Sequence, residues 1–281
     1  MSTQRAKELI RDNLTIPTLP AVVQRISQMI EDPEMGTAEI GAAVGEDAPL
    51  AAKVLRIANS SYYGLRERCL STDQAAGVLG GRVLKNVVTQ AAVIQQFEHL
   101  AGTPDFDIDK IWRHASLTAA ACQTIARACE GKIGLAPEEF HVCGLLHDIG
   151  KVVMVDSLGQ KYLDIFSMAA SLGEPLYVVE LRELGFNHTD VGAIIANHWS
   201  LPPAVSSAIQ FHHGPREAVR DDPIVALVAN ANLVCHRVEN GEIEAAEATL
   251  DESTMEFLGI APRKVPAIVA AIVDFQSESM L

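Results

Sequence analysis

A histidine and an aspartate stand side by side in the segment GLLHDIGK, residues 144–151, directly after an apolar stretch. The His147 imidazole and the Asp148 carboxylate are both good ligands for a divalent metal ion, and a bound ion could activate water for hydrolysis. Adjacent residues on a helix diverge by about 100°, so a shared ion would have to lie between the two side chains. The alternative is that the pair only stands at the end of a helix and has no metal-binding role, with Gly150 as the C-cap.

A third candidate ligand, His114, lies upstream in the helical segment IWRHASLTAAACQTIA. If this helix and the one before His147 form an antiparallel hairpin, the chain rises about 22 Å from His114 to residue 129 and descends about 15 Å from residue 137 to His147, at about 1.5 Å per residue. The loop between them can absorb the small difference. We therefore expect His114 and His147 to meet.

The histidines further along the chain cannot all face one site. His188 opens the segment GFNHTDVGAIIANHW, and His198 follows ten positions later, about 280° further around a helix. We retain His188 as a candidate and assign His198 to the surface or to packing. His212 and His213 end another apolar segment and also diverge; His213 is nearer a Gly-Pro turn and freer to swing, but the spacing leaves the choice open. Three histidines have no partner in this scheme: His99, His141 and His236.

Apolar residues recur at helical spacing almost everywhere, as in AVVQRISQMI, where they form one stripe. No segment shows the sustained alternation typical of a strand, so the sequence predicts an all-α fold. Beyond the first hundred residues, helices are predicted near residues 109–129, 137–148, 158–172, 174–184, 188–199, 202–213, 222–238, 253–258 and 262–277.

The small, polar and acidic segment AGTPDFDID, residues 101–109, is a candidate boundary between two helical lobes. We expect an N-terminal lobe over residues 1–100, a second lobe over 107–240, and a helical extension over 241–281 that packs on the domain. The extension begins with an acidic stretch, GEIEAAEATLDES, which is expected to be a solvated helix face or a loop.

Composition excludes several classes of protein. With 48% hydrophobic and 21% charged residues, the 281-residue chain is globular, and its net charge of −14 disfavours binding to nucleic acid or to an anionic membrane. The N-terminus lacks the apolar core of a signal peptide, and no apolar run approaches the ~20 residues of a spanning helix. The five cysteines form no CxxC pair, so we expect reduced thiols in a cytoplasmic protein.

Several segments together resemble one family. GLLHDIGK, the upstream IWRHA and the downstream NHTDVGA and FHHGP resemble the HD superfamily of metal-dependent phosphohydrolases. More closely, the chain is similar to the HDOD domain, the HD-related output domain of bacterial signalling proteins. IPTLPAVVQRI, GEDAPLAAKVLRIANSSYYG and AAGVLGGRVLKNVV resemble its N-terminal lobe, and the similarity spans roughly residues 14–240.

The resemblance implies a set of metal ligands. His114 matches the first histidine ligand, His147 and Asp148 the defining pair, and His188 with His212 or His213 the histidines added by two-metal members. HD enzymes close the site with an aspartate in the last long helix, where this chain has Asn232 or, less suitably, Asn230 in VALVANANLVCHRV. An asparagine offers a neutral oxygen and is a poorer ligand, which disfavours catalysis.

Two further features bear on catalysis. Lys151 is a candidate phosphate-binding cation, or else a helix-terminal lysine that complements the helix dipole. The Gly-Tyr-Pro motif of the cyclic-dinucleotide phosphodiesterases is absent after His212-His213, so hydrolysis of cyclic di-GMP is not supported.

The resulting hypothesis is a non-catalytic bacterial signalling module that acts through contacts with a protein partner and binds a divalent ion such as Mn, Fe, Mg, Ni or Zn. The alternative is a metal-dependent phosphohydrolase acting on a nucleotide or phosphodiester, with His147, Asp148 and Lys151 as the candidate catalytic residues. The sequence leaves the oligomeric state open.

Overall fold

A computed structural model describes residues 3–32, 34–60, 63–104, 106–129, 133, 136–214 and 222–279. The fold is all-α, as predicted: within these ranges there is no strand, only an isolated bridge between Cys129 and Ile260. None of the helices in the described ranges combines the length and the apolarity that crossing a bilayer would require.

The chain divides into two compact units. The smaller unit contains residues 19–99 and 277–281, and the larger unit contains residues 1–18 and 100–276. The first helix, α1 (Thr3–Asn13), thus belongs to the larger unit, to which the following segment is also bound: the Trp199 indole N–H donates to the carbonyl of Pro17 at 2.7 Å. The lobe limits expected from the sequence, 1–100, 107–240 and 241–281, stay a prediction.

The smaller unit is a cluster of helices around an aliphatic core. Val23 and Ile26, from the predicted apolar stripe, are buried in this core, and Val22, Met29 and Ile30 pack against it. Its last helix is broken at Gly80, whose φ of 75° lies outside the helical region. In chain order its helices are α2 (Ala21–Glu31), α3 (Thr37–Gly45), α4 (Ala48–Ala58) and α5 (Thr72–Gln96).

The larger unit carries the candidate ligands. After α1, its helices are α6 (Ile108–Ala128), α7 (Pro137–Leu146), α8 (Ile149–Leu158), α9 (Gln160–Leu172), α10 (Leu176–Leu184), α11 (His188–His198), α12 (Pro203–Phe211), α13 (Pro223–Glu239), α14 (Ile243–Thr249), α15 (Glu252–Leu258) and α16 (Val265–Ser279). The predicted set omits α8, and it leaves open whether the segment that forms α14 is a helix or a loop. The α8 sequence, IGKVVMVDSL, is rich in β-branched residues and buried around most of its circumference, so it lacks the polar face that reveals a surface helix.

Helices α6 and α7 form the hairpin expected from the sequence, with the rings of His114 and His147 5.4 Å apart. Gly144 allows their close contact, because a Cβ atom at this position would lie 2.7 Å from the carbonyl oxygen of Thr118 and from the Cα of Ala119. The first glycine of GLLHDIGK therefore brings the His147 end of α7 against α6.

The second glycine of that segment does not end a helix, and its interpretation as a C-cap is wrong. Helix α7 ends at Leu146, and Gly150 is the second residue of α8, which starts again immediately after the His-Asp pair. A Cβ on Gly150 would lie 1.9 Å from the carbonyl oxygen of His188. Gly150 thus allows α8 to touch the first turn of α11, and this contact brings His188 to Asp148.

We predict that Gly150→Ala destabilises the protein, because overpacking a contact of this kind costs about 1–3 kcal/mol. Gly77→Ala is the matched control: it lies in α5, its Cβ would meet nothing within 4 Å, and alanine should raise stability there by about 0.5–1 kcal/mol. Chemical denaturation of both variants measures the difference. Equal effects of the two substitutions would contradict the assignment of Gly150 to a close helix contact.

Candidate metal centre

The centre is built around the buried carboxylate of Asp148, which stands at the junction between α7 and α8. Its Oδ2 accepts a hydrogen bond from the Lys151 ammonium at 2.6 Å, whereas its Oδ1 has no hydrogen-bond partner among the described residues. Burial alone would raise the pKa of Asp148, but its interactions with His147 and with the Lys151 ammonium outweigh burial and hold that pKa well below its usual range. The carboxylate is therefore ionised.

In two buried histidines, the unprotonated ring nitrogen faces this carboxylate. His147 Nδ1–H donates to the carbonyl of Gly144 at 2.7 Å, and His212 Nδ1–H donates to the carbonyl of Ile209 at 2.8 Å. Because a carbonyl can only accept, the proton of each neutral ring lies on Nδ1 and its Nε2 carries a lone pair. Burial lowers the pKa of both rings, that of His212 to about 4, which keeps them neutral.

A third histidine is oriented by a buried carboxylate. Glu180, on α10, accepts through Oε2 from both the backbone N–H of His188 at 2.9 Å and its Nδ1–H at 2.7 Å, and through Oε1 from the Tyr162 hydroxyl. Burial opposes ionisation of Glu180, but the charge of His188 and these hydrogen bonds lower its pKa. Burial likewise opposes the charge on His188, and Glu180 outweighs it, so the pKa of His188 is raised. Carboxylate–histidine pairs of this kind orient metal ligands in many proteins.

These groups converge. His188 Nε2 and His212 Nε2 lie 3.3 Å and 3.5 Å from Asp148 Oδ1, and His147 Nε2 lies 3.3 Å from Asp148 Oδ2. Ligand atoms bound to one ion at about 2.0–2.2 Å are separated by about 3–3.5 Å, so the spacing around Asp148 Oδ1 fits a metal. Ligand atoms of Asp148, His188, His212 and His213 all lie within 4.8 Å of one another, and those of His114, His147 and Asp148 form a second group. In the described part of the chain, four of these buried atoms have no hydrogen-bond partner: His147 Nε2, Asp148 Oδ1, His188 Nε2 and His212 Nε2.

His114 is close to this group but is engaged on both sides. Its Nε2 lies 2.9 Å from Asn232 Oδ1 and its Nδ1 lies 2.9 Å from Glu239 Oε2. Its ring also stacks on that of His236, with the centroids 4.3 Å apart. Asn232 therefore occupies the expected position beside His114, where it acts as a hydrogen-bond partner in place of an ionised ligand.

The remaining predicted residues are also placed. His213 is half-buried, stacks on Tyr177 with centroids 4.6 Å apart, and belongs with His212 to the same group of possible ligands around Asp148. Burial strongly lowers the pKa of His213. Lys151 lies in the first turn of α8, where a cation opposes the helix dipole, so its interpretation as a dipole-complementing lysine is wrong. Asn230 is not beside His114; its amide donates to the carbonyl of Ala226.

Sequence reasoning missed three residues of the network: Glu180, Glu239 and His236. The last two are three positions apart on α13, so they share a face with each other and, by the same period, with Asn232. That spacing was a usable signal. Glu180 offered none, because it stands among exposed charged residues in the segment VVELREL and only the packing of α10 turns it inward.

We predict that Glu180→Gln weakens metal binding about 10- to 100-fold, because the amide cannot accept both N–H groups of His188 with a full negative charge. The affinity for Co(II), followed by its visible absorption, measures the change. Glu183→Gln is the control on the same helix, where the carboxylate is exposed and pairs with Arg182. If both variants bind Co(II) like the parent protein, Glu180 does not support a ligand.

Comparison with known proteins agrees with this architecture. An uncharacterized protein of Treponema pallidum (strain Nichols) is 27% identical over 219 residues, which cover 78% of this chain and 42% of that protein. Ribonuclease Y of Aquifex aeolicus (strain VF5) is 31% identical over 143 residues, which cover 49% of this chain and 20% of that enzyme. The chain thus spans less than half the length of either curated relative.

The solved structure of an HDOD domain protein of unknown function from Geobacter sulfurreducens matches this fold with a TM-score of 0.80 and 25% identity. The match covers 98% of this chain and 96% of that one. A family model for the HDOD domain matches residues 16–215, a range that includes His114, His147, Asp148 and His188. The chain therefore belongs to the HDOD domain family.

Proposed function

We propose that this protein is a regulatory HDOD module whose larger unit binds one divalent transition-metal ion through Asp148, His188, His212 and His213. The observation that carries the proposal is that each of these four side chains offers a ligand atom, and these atoms all lie within 4.8 Å of one another. Among them, Asp148 Oδ1, His188 Nε2 and His212 Nε2 are buried and have no hydrogen-bond partner among the described residues, and a metal ion would satisfy all three at once.

The donor set favours particular metals. Three imidazoles and a carboxylate suit Zn, Ni, Fe or Mn, whereas Mg prefers oxygen ligands and retained water. Ile209 and Glu180 support the set, because their oxygens fix which nitrogen of His212 and of His188 faces the ion. We therefore expect a nitrogen-rich, tightly held centre.

A regulatory role is supported by the chemistry of the opposite side of the centre. Both nitrogens of His114 are engaged, Asn232 brings no charge, and one oxygen of Asp148 is taken by Lys151. Ligand atoms of His114, His147 and Asp148 also lie within 4.8 Å of one another, but the hydrogen bonds of His114 and the ion pair of Asp148 make this group less available to a second ion. In this proposal the module acts in the bacterial cytoplasm through contacts with a protein partner. The free thiols of all five cysteines suit such a reducing compartment.

The second candidate is a metal-dependent phosphohydrolase. It is favoured by a cavity of about 400 Å³ beside the centre, with His212, His213 and Asn232 in its wall. A bound metal would lower the pKa of a water ligand and polarise a phosphate. Ribonuclease Y, which shares 31% identity over 143 residues, is named for the hydrolysis of a phosphodiester.

We predict one equivalent of bound metal per chain after titration with Zn(II), Mn(II), Fe(II) or Ni(II), measured by plasma mass spectrometry after desalting. Asp148→Ala removes the only carboxylate ligand and should abolish retention of the ion. His198→Ala should retain it, because His198 is exposed at the end of α11. A parent protein that retains no metal, or an Asp148→Ala variant that retains it fully, would refute the proposed centre.

Hydrolysis separates the two candidates. We predict no turnover of bis(p-nitrophenyl) phosphate or p-nitrophenyl phosphate by the metal-loaded protein above the level of its Asp148→Ala variant. Turnover that depends on Asp148 and rises in Asn232→Asp would favour the phosphohydrolase, because the added carboxylate would complete the site next to His114.

A further inference from the structure

The walls of the cavity beside the centre come from two parts of the chain. One wall is the end of α12, with His212, His213 and Gly214, and this wall lies within the HDOD match, which ends at residue 215. The other walls come from α13 and from α15 with the segment before it, including Ala229, Asn230 and Phe257. The match does not cover these helices, so most of this cavity belongs to the C-terminal part of the chain that follows the HDOD match.

At the inner end, the cavity meets the metal ligands. His212 lines it, is buried, and has no hydrogen-bond partner for Nε2 among the described residues. Among the described lining residues there is no lysine or arginine, so the metal would be the main positive charge that an anionic ligand meets here. The inner end suits a single anionic group.

At the outer end, the cavity is apolar on two sides. Leu233 and Phe257 line it and remain 45% and 36% exposed, which is unusual for large apolar side chains that border a pocket with polar walls. Two small residues, Ala226 and Ala229, also line the cavity. A flat apolar group could lie against both large side chains and remove their surface from water.

Hydrogen-bond acceptors surround this apolar contact. The Asn230 amide nitrogen is used by the carbonyl of Ala226, which leaves the side-chain oxygen as the group that can meet a ligand. Asp251 caps α15 through one oxygen, which accepts from the backbone N–H of Thr254 at 2.8 Å. The Asp251 carboxylate contributes negative charge to this part of the cavity wall, which disfavours a second anionic group.

We propose that this cavity binds a compact ligand with one phosphoryl or phosphonyl group, directed at the metal, and a planar aromatic or heterocyclic body held between Leu233 and Phe257. The inference rests on the proposed metal centre, and it adds a ligand class to that centre. It applies to a regulatory module that senses such a molecule and to an enzyme that cleaves it.

The test is calorimetric titration of the full chain, loaded with one equivalent of the metal that it retains most tightly. The probes are phenylphosphonate and methylphosphonate, which carry the same anionic group and differ in the ring. Phenylphosphonate should bind about tenfold more tightly, since the ring buries apolar surface. Phe257→Ala should lower phenylphosphonate affinity about fivefold and leave methylphosphonate affinity unchanged. Leu181→Ala, which removes a 50% exposed side chain from α10, is the control and should change neither.

A second variant, Ala229→Phe, places a ring inside the cavity and should abolish phenylphosphonate binding while the metal content stays at one equivalent. Metal content is measured on every sample, so the two proposals fail differently. Equal affinities for the two probes, or full phenylphosphonate binding in Ala229→Phe, would overturn the ligand site and leave the metal centre standing. A parent protein without retained metal would overturn both.

Discussion

The buried negative charge of Asp148 organises the candidate metal centre. Taking a carboxylate out of water is expensive unless positive charge and hydrogen-bond donors compensate it, and Asp148 is almost completely buried. Lys151 supplies the compensating charge, and His147, His188 and His212 place ring nitrogens around the carboxylate from the residue before it, from α11 and from the end of α12. The packing of α8 against α11 and of α7 against α6 can be understood as the scaffold that keeps these groups around one carboxylate.

The sequence was sufficient for much of this picture, because helical periodicity depends on local pattern. The hairpin that joins His114 to His147 followed from helix rise and loop length alone, and the choice of His188 over His198 followed from the angle between them. His198 is indeed exposed. The diverging directions of neighbouring residues indicated that an ion shared by His147 and Asp148 would have to lie between them, but they could not show which other groups surround Asp148.

What the sequence could not supply depends on tertiary contacts. Gly150 resembles a C-cap in the local pattern, and only its 1.9 Å conflict with a carbonyl of another helix reveals its actual role. Helix α8 was missed because a buried helix has no polar face to mark its period. His236 stacks on His114, which lies 122 positions earlier in the sequence, and Glu180 binds His188, which lies eight positions later. In both pairs the two residues lie on different helices, so no local pattern encodes them.

The ion pair between Lys151 and Asp148 has a consequence for the order of assembly. Small zinc domains fold only when the ion arrives, because their ligands repel one another or stay unsatisfied without it. Here the chain carries its own counter-charge, three residues from the carboxylate on the same turn of helix, so the anion is neutralised as soon as α8 forms. If the proposed centre binds an ion, folding and metal loading would then be separate events, and the polypeptide would reach its native state before it acquires the ion.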